Sequence, residues 1–157
     1  LENSGKVIKI TKENSEILLK EFMSYLPQKT VLFEDTLIEN LNLQNSKIDN
    51  NKKELINYFL SELKLNHIIN RSDGLMQNLS LSVDCFSGGE IQRLGLIRCW
   101  VRNKPIELLD EPTSSIDKDL SKKIKKIIFE RSRKRIVFVS THDKDLIEIA
   151  DYVLSVN

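Results

Sequence analysis

Residues 106–117 read IELLDEPTSSID: a short, mainly apolar run that delivers two carboxylates, Asp110 and Glu111, and then a proline. A run of this length, bounded by a turn signal, reads as a strand in a sheet covered on both faces, and Glu107 is the one residue that interrupts its apolar character. Strand ends of an open α/β sheet open onto its ligand crevice, so Asp110 and Glu111 are expected there. Alternation along the strand would send their side chains to opposite faces, one suited to a cation and the other to a water. The plainer alternative is a polar pair leading into the turn at Pro112.

Working outward, short β-rich runs VIKI (7–10), FMSYL (22–26), RIVFVS (135–140) and YVLSV (152–156) alternate with helical patterns, which predicts an α/β fold with a parallel sheet. Leu55, Ile56, Phe59, Leu60 and Leu63 follow helical spacing within 52–66, as do Leu120, Ile124, Ile127 and Ile128 within 117–131. No convincing strand falls between FMSYL and IELL, a separation far longer than an ordinary βα connection. An inserted helical subdomain is expected from residue 36 to 86. Together with the helix that follows it, it makes a helical unit at 36–103, set between the two halves of an α/β core at 1–35 and 104–157.

The chain has 157 residues, the size of one domain, and 24 Lys and Arg against 23 Asp and Glu. A net charge of +1 supplies no field that would draw it onto nucleic acid or an anionic membrane. The basic residues from KKIKK to RSRKR (122–135) are read as the solvated face and C-terminal end of one helix, where cations suit the dipole. Cys85 and Cys99 lack metal-ligand or redox spacing and are expected as buried, reduced thiols. No apolar run reaches the ~18 residues of a membrane-spanning helix, and the N-terminus lacks the layout of a signal peptide, so a soluble, cytosolic segment is expected.

Residues 87–90, SGGE, form the S-x-x-E pattern of a capping box, predicting a helix from here to about Asn103. Gly88 and Gly89 are poor helix formers, about 1 kcal/mol worse than alanine each, and a cap alone does not call for them. Without side chains they would let an anion reach the exposed N–H groups and the positive end of the dipole; an ordinary capped helix is the alternative. STHD (140–143) places His142 at another strand end, where an imidazole can donate to a phosphate. Gln28, after YLP, sits at the end of FMSYL, where an amide can ligate a cation or orient water, and His67 in LNHII is assigned a structural role.

In order along the chain, YLPQ, FSGGEIQRLGLIR, IELLDEPTSSID and STHD resemble the nucleotide-binding domain of ABC transporters: its Q-loop, signature motif, Walker B and D-loop, and switch histidine. The wording LPQKTVLFEDTLIENL is most similar to the exporter branch. The resemblance implies a P-loop NTPase sheet of the ABC ATPase type, hydrolysing ATP with Mg²⁺ at the interface of two nucleotide-binding domains. Asp110 would hold Mg²⁺, Glu111 would be the catalytic base, and His142 would contact the γ-phosphate. Gln28 would touch Mg²⁺ and the attacking water. Ser87, Gly88, Gly89 and Glu90 would clasp the ATP of the opposite subunit, and Asp117 would close the D-loop that communicates across the dimer. Transmembrane domains are the further partners implied, nucleic acid is not, and the expected location is the cytoplasmic face of the membrane.

The signature reads FSGGE where LSGGQ is commonest, and the D-loop reads SSID for SALD. NSGKVIK (3–9) is not a phosphate loop, because Val7 stands where Ser or Thr must reach Mg²⁺ and the required upstream glycine is missing. It resembles the strand that follows that loop's helix, so the chain is expected to be a fragment lacking Walker A. Two other classes compete: the tail lobe of SMC-type DNA-repair ATPases, which a coiled coil should precede, and a non-hydrolysing regulatory half.

Overall fold

The computed structural model describes residues 20–43, 48–70, 73–79 and 86–155. The strand expected at 7–10 and Cys85 lie outside them. Three of the apolar runs form strands: β1 (Met23–Leu26), β2 (Ile106–Asp110) and β3 (Ile136–Ser140). They pair in parallel in the order β1-β2-β3, with Met23, Ile106 and Ile136 in one row and Leu26, Leu109 and Val139 in another. Parallel pairing brings all three C-terminal ends to one edge, where Gln28, Glu111 and His142 follow within three residues of their strands.

The helices are α1 (Leu37–Asn42), α2 (Asn50–Glu62), α3 (Asn66–Ile69), α4 (Gly88–Val101), α5 (Lys118–Ser132) and α6 (Lys144–Glu148). Side-chain caps begin most of them: Thr36 for α1, Asp49 for α2, Ser87 for α4, Asp117 for α5 and Asp143 for α6. Each short side chain accepts a hydrogen bond from an otherwise unpaired N–H of the first turn. The left-handed Lys64 (φ 55°) follows the end of α2, which therefore stops short of the expected residue 66. Between β1 and β2 the regular elements among the described residues are all helices, joined by loops, apart from a single bridge of Thr36 to Asn78.

α4 is buried nearly all round, as its mixed apolar periphery requires of a central helix, and it touches α1, α2 and β1. Trp100, Leu94, Leu96 and Ile97 of α4 share one core with Leu37 and Leu41 of α1, Ile56, Phe59 and Leu60 of α2, and Leu26 and Leu109 of the sheet. The Cys99 thiol is buried here and donates to Ser24 Oγ, and burial pushes its pKa up to about 12, so it is an inert core group as expected.

The interruption at Glu107 is explained, and two expectations are corrected. Glu107 does not weaken β2: fully buried, it receives Arg131 Nε at 3.1 Å on both carboxylate oxygens, with Arg135 Nε 3.4 Å away. Arg131 is consequently no part of a solvated face, since its guanidinium lies over the rings of both Phe59 and Trp100 and donates to the Trp100 carbonyl as well. Buried charge must be paired, and this helix end turns inward to do so. YVLSV is the second: residues 152–155 form no strand, and Tyr152 and Leu154 are exposed. An alternating apolar run becomes a strand only when it docks on an edge, and β3, the edge strand of the described sheet, pairs with β2 alone, so 152–155 are not docked there. One sheet face also remains open, where the row Tyr25, Leu108, Phe138 leaves both its aromatic side chains more than half exposed.

Candidate active site

The capping box predicted from SGGE is complete. Ser87 Oγ accepts from Glu90 N (3.3 Å), while Glu90 Oε2 accepts from both the Ser87 N–H (2.7 Å) and its hydroxyl (2.8 Å). Burial by itself would raise the Glu90 pKa, but the bonds from Ser87 and from His67 outweigh it and hold the carboxyl at about 2. The two glycines play different parts. A side chain on Gly88 would meet nothing within 4 Å, whereas one on Gly89 would come within 3.0 Å of the Ser115 carbonyl oxygen. Gly89 is thus closely approached by the chain's own backbone, a constraint sequence spacing did not reveal, and Gly88 is the open position.

Glu111 does not continue the strand. Its φ is 47°, in the left-handed region that non-glycine residues enter at a cost of about 1–2 kcal/mol, so the side chain is set by a turn rather than by strand alternation. The turn is over-determined: the Glu111 carbonyl accepts from Ser114 N (3.1 Å), Ser114 Oγ (2.9 Å) and Gln92 Nε2 (3.3 Å), and its own N–H donates to Ser140 (2.8 Å). Gln92, buried on α4, thereby ties the helix after SGGE to the end of β2. Glu111 Oε1 accepts from the backbone N–H of His142 (3.1 Å), and His142 Nε2 lies 3.8 Å from the same oxygen while its ring is fully exposed. The next residue anchors this loop: Asp143 accepts from Thr113 Oγ1 (3.0 Å) and pairs with Lys125 (2.7 Å).

The structure therefore brings Glu111 and His142 together, with Asp110 one residue away at the end of β2. Gln28 stands to one side, exposed, and shares a cleft of about 340 Å³ with Gly88, Gln92, Ser114 and Ser115. Asp117 is the N-cap of α5, its carboxyl held low chiefly by the Leu120 N–H. Sequence reasoning missed Gln92, Ser114, Thr113 and Lys125. It also missed Arg98, which burial lowers to about 10 and which donates to the carbonyls of Asn40 (2.7 Å) and Val31 (2.9 Å), bracing the segment after Gln28. His67, assigned a structural role, is half-exposed and places Nε2 2.5 Å from Glu90 Oε1.

The C-terminal edge of a parallel three-stranded α/β sheet thus carries a strained acid and a histidine, with a glycine-bearing capped helix beside it. Residues 2–114 match the family model described as ABC transporter, and the chain belongs to that family. It is 32% identical over 120 residues to the glutathione/L-cysteine transport system ATP-binding/permease protein CydC of Bacillus subtilis, an alignment covering 75% of this chain and 20% of that protein. It is 32% identical over 143 residues to ABC transporter B family member 6 of Dictyostelium discoideum (91% of this chain, 21% of that one). With the ATP-dependent lipid A-core flippase of Haemophilus influenzae it shares 29% over 139 residues (88% and 24%). The structure of a bacterial Atm1-family ABC exporter with ATP bound matches the fold with a TM-score of 0.73 at 24% identity, covering 87% of this chain and 24% of that one. The chain spans about a fifth to a quarter of the length of these relatives. No helix of the described residues is long and apolar enough to cross a membrane.

Proposed function

We propose that this chain is catalytic sequence from the nucleotide-binding domain of an ABC exporter, in which ATP hydrolysis at a head-to-tail pair of such domains drives transport through transmembrane domains at the cytoplasmic face of a membrane. The observation that carries the reading is Glu111, a carboxylate held in a strained turn by three bonds to its carbonyl and aimed by the His142 backbone. Strain maintained by its surroundings at a strand end is the mark of a group placed for chemistry. Glu111 would take the proton of the attacking water, and the exposed His142 imidazole would donate to the γ-phosphate. Ser87, Gly88, Gly89 and Glu90, at the positive end of α4, would face the nucleotide held by the partner domain, with Asp117 and the turn before it at the same interface. In this reading 36–103 is the helical unit bearing the signature and 1–35 with 104–157 the core.

Mg²⁺ belongs to the same reading. Among the described residues no group of three or more His, Cys, Asp or Glu is gathered to hold a metal ion. A single strand-end aspartate nevertheless fits Mg²⁺, which keeps several waters and takes substrate phosphates as ligands. Asp110, assisted by Gln28, would hold it, and bound there it would neutralise phosphate charge. The phosphate loop this chemistry needs is not among the 157 residues, so the test belongs in the full-length protein. Phosphate release with Mg-ATP should fall about 10²–10⁴-fold in Glu111→Gln while nucleotide binding persists. Hydrolysis near the parent rate in that variant removes Glu111 from the role of base.

A further inference from the structure

Glu90 occupies the position where the commonest signature has glutamine, and in this chain its carboxylate has a partner from another element. Oε2 is taken by the N–H and hydroxyl of Ser87, and Oε1 by His67 Nε2, 23 residues earlier on α3. The carboxyl, held at about 2, is ionised and accepts only, so His67 Nε2 is the donor. An ionised side chain at this helix end has an awkward consequence if the same end is to meet a phosphate: two anions would face each other at short range. It also draws the Ser87 hydroxyl proton toward itself. Both effects weaken when a second donor engages the other oxygen, and His67, half-exposed where Glu90 is largely covered, is placed to supply it.

Resting on the proposed role of the signature helix, we infer that His67 is a positioning residue for that helix: by donating to Glu90 Oε1 it holds the carboxylate in the capping box, fixes Ser87, and offsets the charge that would oppose an incoming phosphate. This couples the residues around α3 to the N-terminus of α4 through one contact. It also explains how a glutamate is accommodated in SGGE without loss of an anion site.

The test is a double-mutant cycle of His67→Ala and Glu90→Gln in the full-length protein. Charge-assisted hydrogen bonds correspond to roughly tenfold effects or more, so His67→Ala in the parent should raise the KM for ATP about tenfold with kcat changed less than about twofold. In the Glu90→Gln background, where no carboxylate needs compensation, the same substitution should cause no further change. An equal rise in both backgrounds, or none in either, overturns the inference. A second measurement needs no nucleotide: hydrogen–deuterium exchange at the Ser87 amide should quicken about tenfold in His67→Ala, and unchanged exchange overturns the positioning role. If the parent hydrolyses no ATP, the proposed function fails by that result alone, while the exchange measurement still decides the role of His67.

Discussion

The backbone N–H of His142 donates to Glu111 Oε1 at 3.1 Å, whereas the imidazole of the same residue is fully exposed and 3.8 Å from that oxygen. The aim of the carboxylate therefore depends on the main chain at position 142 and not on the side chain there. His142→Ala in the full-length protein should lower ATP turnover about 10²-fold or more and leave the unfolding midpoint unchanged. A clear fall in the midpoint would mean that the imidazole is a structural group.

The two glycines of the signature separate binding from folding. Gly89→Ala should destabilise the chain by about 1–3 kcal/mol, because its new Cβ meets the Ser115 carbonyl at 3.0 Å and the turn must shift. Gly88→Asp has open space, so its thermal stability should stay near the parent while ATP-dependent dimerisation is lost to like charge at the helix end. Light scattering with Mg-ATP reads the second effect. ATP-bound dimers forming normally in Gly88→Asp would place the phosphate elsewhere.

Removing one member of the buried pair should be far more harmful than replacing both. Arg131→Met leaves Glu107 with only the longer contact from Arg135 inside the sheet, and a loss of about 3–5 kcal/mol in denaturant unfolding is expected. The double variant Arg131→Met, Glu107→Leu should recover most of it. No recovery would show that Arg131 acts through its stacking on Phe59 and Trp100 rather than its charge.

Glu90 sets an acid dependence with a definite sign. Its folded pKa of about 2 lies below the ordinary 4.5, because the bonds from Ser87 and His67 outweigh the opposing effect of burial. The stability it contributes is fully present above about pH 4.5 and is lost as pH falls toward 2. The difference in unfolding free energy between parent and Glu90→Gln should therefore shrink steadily across that window. A constant difference would show that the carboxylate is not selectively bound.

The open sheet face and the β3 edge should make the 157-residue chain adhesive when expressed by itself. Ile136 and Phe138 are each 57% exposed on a strand that, among the described residues, has one unpaired edge, and parallel sheets are normally covered on both faces. Concentration-dependent association by sedimentation is expected, reduced by Phe138→Lys. A stable monomer at millimolar concentration would contradict it.

What the sequence by itself determined was local or periodic. The capping box at Ser87 and Glu90 depends on groups three residues apart, the strands at 106–110 and 136–140 on apolar runs, and α2 and α5 on helical spacing. The order of motifs carried the family for the same reason, since motif spacing is a property of the chain alone. Only the tertiary structure decided which distant groups meet. The left-handed turn at Glu111 follows from donors 3 and 19 residues away, Glu107 is made tolerable by an arginine 24 residues on, and His67 finds Glu90 across 23 residues. Such contacts leave no periodic trace, because a buried polar group needs only one well-placed partner, and that partner is chosen by packing rather than by spacing. YVLSV shows the converse: its alternation was plain in the sequence, yet residues 152–155 form no strand although the outer edge of β3 has no partner among the described residues, so alternation without docking onto an edge does not make a strand.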